Sequence, residues 1–156
     1  HAGRTYLIVK YEGDKRFSSE KFSTRNLATH DALSSGKRLM DNFYICAIYD
    51  VIAVDEGQFF EDLVEFCEHL ANLGVIVIVS ALDGDYRREN FGKIHELIPK
   101  CEEIVKHSAS CSCGKPASFT RRIIDSYEPE LIGDKDMYES LCRLCYNKAF
   151  LLGNSQ

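Results

Sequence analysis

Two acidic residues, Asp55 and Glu56, directly follow the short apolar run Val51–Val54. A buried strand that ends in acids places carboxylates at the carboxyl edge of a sheet, where α/β folds bind their ligands. There one acid can hold a magnesium ion while its neighbour takes a proton from an attacking hydroxyl. The alternative is that these acids only begin the next helix, whose dipole favours negative charge in the first turn.

A second acidic turn, Asp83-Gly84-Asp85, follows the apolar run Val75–Leu82. Taken alone it is an ordinary turn, because Asp and Gly supply the backbone angles that turns need. Acids at the ends of two neighbouring strands nevertheless favour a shared active edge over two unrelated loops.

Four of the seven cysteines form close pairs, Cys111 with Cys113 and Cys142 with Cys145. Two such pairs in a segment with few apolar residues predict a tetrahedral zinc site with four thiolate ligands. A site closed by four protein ligands is structural rather than catalytic, and its metal replaces the missing core. The alternatives are a redox-active C-x-x-C pair or free thiols.

The remaining cysteines, Cys46, Cys67 and Cys101, lie among apolar residues, so we expect them to be core side chains. An odd number of cysteines with two close pairs is atypical of secreted disulfide frameworks. This usage indicates a reducing, cytoplasmic compartment.

The composition excludes several classes of function. A hydrophobic fraction of 45% and a charged fraction of 28% are typical of a soluble globular protein. The formal net charge of −5 argues against a nucleic-acid polymer as partner, whereas a single nucleotide needs only a few placed cations. No membrane partner is expected, because no apolar run reaches the ~18 residues of a membrane span and no signal peptide is recognisable.

The elements that must position these residues alternate between strands and helices. In chain order we predict a strand at Thr5–Tyr11, a loop at Glu12–Asn26, a strand at Val51–Val54, a helix at Gly57–Leu73 ended by Gly74, a strand at Val75–Leu82 that is buried on both faces, and a helical stretch at Phe91–Cys101. Strand, helix and strand with short connections form a βαβ unit, so we expect an α/β fold with a mainly parallel sheet.

The chain changes character near residue 106. Ser, Cys, Gly and Pro crowd the stretch Ser108–Ser118, and the one further helix that we predict is short, at Leu144–Leu151. About 50 residues are too few to build a stable hydrophobic core without a metal ion or a covalent cross-link. We therefore expect two domains, an α/β domain over 1–106 and a zinc-binding domain over 107–156.

A phosphate-binding loop of the form G-x-x-x-x-G-K-S/T is not recognisable in the sequence. The nearest stretch, Ser35-Gly36-Lys37, has Asp31 in place of the first glycine and Arg38 in place of the final Ser or Thr. No strong strand is predicted before it either, so we interpret this stretch as a plain loop.

The run from Asp55 to Phe60 resembles the D-E-A/G-Q-F-F signature of type II, cytosolic thymidine kinases, which are zinc-containing deoxynucleoside kinases. Further stretches resemble later motifs of that family, in the same order and over nearly the whole chain: Ala81–Gly84, Phe91-Gly92, Leu131–Gly133, Tyr138 and Cys142–Tyr146. The resemblance implies a RecA-like, P-loop-type parallel sheet over 1–106, which would bind the nucleotide, and a small zinc-ribbon and lasso domain over 107–156.

The resemblance also implies a reaction, ATP-dependent phosphorylation of thymidine at its 5′-hydroxyl to give dTMP in nucleotide salvage. It implies feedback inhibition by dTTP, structural Zn²⁺, Mg²⁺ with ATP, and a homotetramer. Glu56 would be the general base, and Asp55 would lie beside it in the magnesium shell. Asp14 and Arg16 match a loop near the phosphates, where the arginine could neutralise developing charge or be only a solvated loop charge.

The resemblance further implies a set of residues around the nucleoside, among which backbone groups of the lasso would pair with the thymine edges: Leu82, Tyr86, Phe91, Leu131, Ile132, Gly133 and Tyr138. The chain departs from the family at three points. The phosphate loop would be expected before His1, the pair Cys111 and Cys113 is one residue shorter than C-x-x-C, and the loop after Phe17 is shortened.

The alternative is a zinc-ribbon interaction or regulatory module without catalysis on an α/β scaffold. The unrecognised phosphate loop and the four cysteines favour it. Against it, such a module has no need for acids at two strand ends with aromatic residues between them. A glycine-rich loop upstream of His1 in the full-length sequence would favour the kinase.

Overall fold

The structure is a computed structural model that describes residues 3–14, 21–23, 29–124 and 137–153. It divides into two compact units, one over 1–83 and 91–101 and the other over 84–90 and 102–156. The two functional domains expected from the sequence, 1–106 and 107–156, stay a prediction.

The first unit is built on a sheet of five strands: β1 (Tyr6–Tyr11), β2 (Lys21–Ser23), β3 (Thr29–Ser35), β4 (Val51–Val54) and β5 (Ile76–Val79). Their order is β2-β3-β1-β4-β5. All neighbours are parallel except β2, which is antiparallel to β3. The predicted α/β class with a mainly parallel sheet is confirmed, and so are the strands at β1, β4 and β5.

Short helices connect these strands: α1 (Phe43–Cys46), α2 (Leu63–Asn72), α3 (Ile94–Leu97) and 3₁₀ turns at Leu39–Asn42, Gly57–Phe59 and Ile98–Lys100. The apolar side of α2 carries Leu63, Phe66, Cys67 and Leu70 at helical spacing, and all four are buried. They pack against Val9, Ile52 and Val54 of the sheet in one core.

The predicted helix Gly57–Leu73 is wrong at its start. Its first turn is a separate 3₁₀ turn, after which Phe60 is extended, with φ −92° and ψ 128°. The break has a tertiary cause: the carboxylate of Asp62 accepts hydrogen bonds from the backbone N–H groups of Leu39 (2.8 Å) and Met40 (3.1 Å). The side chain of Asp62 therefore caps a distant turn, while its carbonyl accepts a hydrogen bond from the N–H of Phe66 at the start of α2.

Two predictions about strands are also corrected. β3 directly precedes Gly36, where no strong strand was expected, because its polar sequence pairs with β1 over Ala32–Ser35 and with β2 over Thr29–Asp31. β2 lies inside the stretch predicted to be a loop. Ser35 is the last residue of β3, so it is not part of a plain loop. That Ser35-Gly36-Lys37 is no phosphate-binding loop stays a prediction, which rests on the missing first glycine and final Ser or Thr.

Two predictions about burial are corrected as well. β5 is not buried on both faces, since Ile76 and Ile78 are exposed while Val77 and Val79 pack against the core. Cys101 is exposed, whereas Cys46 and Cys67 are the core residues that the sequence predicts. Burial raises the pKa of Cys46 to about 11 and that of Cys67 to about 12, so both remain protonated thiols at neutral pH.

The second unit contains two small hairpins and a helix: β6 (Ala109–Ser110) with β7 (Pro116–Ala117), β8 (Phe119–Arg122) with β9 (Tyr138–Leu141), and α4 (Arg143–Gly153). α4 confirms the predicted C-terminal helix. The core of this unit is small and includes two cysteines, Cys111 and Cys142, beside Leu141 and Tyr146. Throughout the described parts of both units, every helix is too short or too polar to cross a bilayer.

Candidate active site

The parallel strands of the first unit end at a common edge, and the acidic residues lie there. Val9, Val54 and Val79 are register partners near the ends of β1, β4 and β5. Beyond them, the N–H of Asp55 donates to the carbonyl of Val9 at 2.9 Å, which continues the ladder by one residue. Asp55 and Glu56 therefore leave the sheet at its carboxyl edge, where ligands of α/β folds bind.

Glu56 occupies a backbone conformation that few residues other than glycine adopt. Its φ is 55° and its ψ is 42°, in the left-handed region. Hydrogen bonds fix the turn around it, since Gly57 N–H donates to the carbonyl of Ser80 (3.0 Å) and Phe59 N–H donates to the carbonyl of Glu56 (3.1 Å). Holding a residue other than glycine in this conformation costs of the order of 1–3 kcal/mol, and such residues cluster at active sites and ligand-binding sites.

Gln58 holds the side chain of Glu56. Its Nε2 donates to Oε2 of Glu56 at 2.5 Å, and its Oε1 accepts a hydrogen bond from the N–H of Leu82 at 3.1 Å. Gln58 is buried. A glutamine in a turn carries no sequence signal of this role, because the role depends on the position of Leu82 in the segment after β5.

Two glycines make this close packing possible. A Cβ on Gly57 would lie 2.7 Å from Cγ1 of Val79. A Cβ on Gly92 would collide with the backbone carbonyl of Gln58, and Gly92 has a φ of +57°. Both glycines are therefore needed where the turn approaches the end of β5 and the segment after it.

A row of aromatic rings lies beside this turn. Tyr11 stacks on Phe59 with ring centres 5.0 Å apart, and Phe91 meets Phe59 edge to face at 5.5 Å. Phe91 is thus fixed by packing, and its N–H also reaches the carbonyl of Asp83 at 3.5 Å. Leu82 is half exposed beside the same turn.

In the second unit, Arg122 brings together two of the predicted site residues. Its guanidinium carbon lies 3.9 Å from the ring centre of Tyr86, and its Nη2 donates to the hydroxyl of Tyr138 at 2.9 Å. The hydroxyl of Tyr146 donates to the carbonyl of Tyr86 at 2.7 Å. Arg122 is not recognisable as a site residue from the sequence, because the pattern of β8 does not reveal that its last arginine is buried.

Asp85 stabilises the turn within segment 84–90 through hydrogen bonds to its backbone. Its Oδ1 accepts hydrogen bonds from the N–H groups of Arg87 (2.8 Å) and Glu89 (2.9 Å). Arg88 lies over the ring of Tyr146, with its guanidinium carbon 4.7 Å from the ring centre. For this acid, the ordinary-turn alternative agrees with the contacts that the structure describes.

The four paired cysteines converge. Their sulfur atoms all lie within 4.8 Å of one another, and those of Cys113 and Cys142 are 3.6 Å apart. The short first pair converges because Gly114, with a φ of +82°, turns the chain back so that Cys111 N–H donates to the carbonyl of Lys115 at 2.9 Å. This donor set fits a metal such as zinc.

The protonation of the cluster is uneven, as expected of sulfurs that compete for charge. Hydrogen bonds from the backbone N–H groups of Cys113 and Cys142 lower the pKa of Cys111 to about 6. Hydrogen bonds with the sulfurs of Cys113, Cys142 and Cys111 raise the pKa of Cys145 to about 12. Four thiolates this close repel one another, and a divalent cation among them would remove that repulsion.

The profile of the thymidine kinase family matches residues 1–146. The chain belongs to the thymidine kinase family. It is 44% identical over 152 residues to the thymidine kinase of Yaba monkey tumor virus (strain VR587), a match that covers 92% of this chain and 79% of the relative. This membership confirms the predicted class of enzyme, a kinase, and argues against the module without catalysis.

Mammalian and further viral thymidine kinases are similar to the same degree. The cytosolic thymidine kinase of Bos taurus is 47% identical over 143 residues, which are 91% of this chain and 59% of the relative. The thymidine kinase of vaccinia virus (strain Western Reserve) is 46% identical over 141 residues, 90% of this chain and 78% of the relative.

The structure places some of the residues singled out by the family resemblance and not others. Asp14 follows β1, where its N–H donates to the carbonyl of Tyr11 at 3.1 Å, so it lies at the same carboxyl edge as Asp55. Arg16 and the stretch Leu131–Gly133 lie outside the described residues. Their roles stay predictions.

Proposed function

We propose that this chain phosphorylates thymidine, transferring the γ-phosphoryl group of ATP to the 5′-hydroxyl to give dTMP. The observation that carries the proposal is the carboxylate of Glu56, held by Gln58 at the carboxyl end of β4 in a chain of the thymidine kinase family. An acid held there suits the removal of a proton from an attacking hydroxyl.

In the proposed reaction, Glu56 accepts the proton of the 5′-hydroxyl as that oxygen forms its bond to the γ-phosphorus. The bond between the γ-phosphorus and the bridging oxygen breaks, and ADP leaves. Mg²⁺ bound with ATP would supply positive charge against the phosphate oxygens. Asp55 would lie in the coordination shell of this Mg²⁺. Asp14 and Arg16 would lie near the phosphates of ATP, and the assignment of Arg16 rests on the resemblance alone.

For the nucleoside we assign Leu82, Phe91, Tyr86 and Tyr138, as the resemblance implies. Phe91 is supported by its packing on Phe59, and the two tyrosines by their common contact with Arg122. Backbone groups of Leu131, Ile132 and Gly133 would pair with the thymine edges, an assignment that rests on the resemblance alone.

We propose that the fold is RecA-like and of the P-loop type, with a zinc-binding lasso domain, as the parallel strand order and the cysteine cluster support. The metal is Zn²⁺ and its role is structural. Feedback inhibition by dTTP and assembly as a homotetramer rest on the resemblance alone. A cytoplasmic location is supported by the bovine relative, which is named cytosolic.

The test measures transfer of label from [γ-³²P]ATP to thymidine by the full-length protein, with deoxycytidine as the control acceptor. We expect transfer to thymidine alone. Glu56→Gln should lower kcat by roughly 10²–10⁴ while thymidine binding changes little, because the amide keeps the size of the side chain but cannot accept the proton. Glu61→Gln is the matched control at an exposed position of the same loop.

Each result of this test has a defined meaning. Label in deoxycytidine as well would contradict the assigned acceptor, and full activity of Glu56→Gln would remove the role of base from that residue. A zinc-loaded protein without any transfer would instead favour the interaction module.

A further inference from the structure

Gln58 uses both ends of its side-chain amide, and it is only 3% exposed. The amide nitrogen donates to the carboxylate of Glu56, and the amide oxygen accepts from the N–H of Leu82. A flipped amide would present its N–H₂ group to the N–H of Leu82 and its oxygen to a carboxylate. Only one orientation therefore satisfies both partners.

The backbone that carries this amide is also held in place. Gly92 lies directly against the carbonyl of Gln58. Gly57, the residue before Gln58, donates its N–H to the carbonyl of Ser80 at the end of β5. The amide is thus a rigid bridge between the turn after β4 and the segment after β5. Such rigidity is what a group needs if it is to hold another side chain in one orientation.

We propose that Gln58 is a positioning residue that aims the carboxylate of Glu56 at the acceptor hydroxyl. The inference rests on the proposed function, in which Glu56 is the general base. The base must lie within about 2.6–3.2 Å of the proton that it accepts. A glutamate side chain has three rotatable bonds, and a displacement of about 1 Å can cost up to about 100-fold in rate.

The side-chain amide of Gln58 also links Glu56, the proposed base, to the segment that follows β5. Leu82 N–H is satisfied by the same amide that holds Glu56, so the orientation of the carboxylate depends on where the chain leaves β5. Gln58 itself transfers no proton, because an amide neither gains nor loses one at neutral pH. Its effect is therefore expected on kcat rather than on thymidine binding.

The experiment compares steady-state kinetics of full-length variants. Gln58→Glu keeps the size of the side chain and an acceptor for Leu82 N–H, but it removes the donor and places a second carboxylate beside Glu56. Gln58→Met removes both hydrogen bonds and adds no charge. We expect each variant to lower kcat roughly 10- to 100-fold, with the KM for thymidine within about threefold of wild type.

The decisive measurement repeats Gln58→Glu in the Glu56→Gln background. If Gln58 acts through Glu56, the second substitution lowers the residual kcat by less than about threefold, because the base that it would misplace is already gone. Asn72→Asp, at an exposed position of α2, adds the same charge away from the site and should match wild type.

The outcomes separate the two proposals. A wild-type enzyme that does not phosphorylate thymidine overturns the proposed function before any variant is compared. With an active wild type, four results overturn the positioning role: unchanged kcat in Gln58→Glu, a rise in KM alone, a full additive loss in the Glu56→Gln background, or failure of both Gln58 variants to fold. The last result would make Gln58 a structural residue.

Discussion

Arg122 and Tyr86 form a close cation–π pair, with the guanidinium carbon 3.9 Å from the ring centre. The same guanidinium donates to the hydroxyl of Tyr138. Arg122 is 9% exposed, and a cation–π contact contributes about 2 kcal/mol when it is desolvated. One buried cation therefore fixes two rings that we assign to the nucleoside.

Replacing Arg122 should weaken thymidine binding. In Arg122→Met both tyrosines lose their common partner, and we expect the Kd for thymidine to rise roughly 10-fold, which corresponds to about 1.4 kcal/mol of binding free energy. Calorimetric titration of thymidine measures it. Arg121→Met is the matched control, because Arg121 is the neighbouring residue and forms only a partly exposed ion pair with Glu139. Equal affinities of both variants would contradict the role given to Arg122.

Loss of one cysteine should release the metal. In Cys142→Ser three thiols remain, and we expect the zinc content to fall from about one ion per chain to nearly none, with protease cleavage in the second unit, because a structural zinc supplies folding free energy. Atomic absorption and limited proteolysis measure both effects. Cys101→Ser, an exposed cysteine outside the cluster, is the control. Full protease resistance in strong chelator would argue against a structural metal.

Gly74 and Gly92, two of the glycines with positive φ, allow backbone strain to be distinguished from steric collision. Gly74 has a φ of +86° with nothing within 4 Å of an added Cβ, whereas at Gly92 the Cβ would meet the carbonyl of Gln58. We expect Gly74→Ala to lower the free energy of unfolding by about 1 kcal/mol, and Gly92→Ala to lower it by a further 1–3 kcal/mol or so. Urea unfolding measures both. Equal losses would show that the loop at Gly92 relaxes freely.

Asp50 should make stability depend on pH. Its Oδ2 accepts hydrogen bonds from the N–H (2.7 Å) and the hydroxyl (2.9 Å) of Thr5, and these lower its pKa. Because the folded pKa is depressed, the stabilisation is present above the unfolded pKa of about 3.9 and is lost as the pH falls through the folded value.

The variant Asp50→Asn isolates this effect. Its Tm should lie below that of wild type at pH 7, and the gap should close as the pH falls below about 4. Thermal melts across this range measure the gap, with Asp41→Asn as the control at an exposed position in a weak pair with Arg38. A gap that is constant with pH would mean that the carboxylate charge of Asp50 does not matter.

Local patterns account for the parts of the fold that could be predicted. The apolar run Val51–Val54 and the helical spacing of Leu63, Phe66, Cys67 and Leu70 are properties of neighbouring residues, so β4 and α2 were recognisable. β3 was not, because its polar sequence becomes a strand through pairing with β1 and β2. The break before α2 likewise depends on Asp62 meeting residues more than twenty positions away.

The sequence by itself determined the chemistry that is available: the acids after β4, the four cysteines and the family motif that joins them. It did so because residue types and their spacing along one chain are enough to name ligands and bases. Only the tertiary structure decided that Gln58 bridges Glu56 to Leu82 and that Arg122 holds Tyr86 and Tyr138. These contacts join segments far apart in sequence, and their energy comes from burial and geometry that no local pattern encodes.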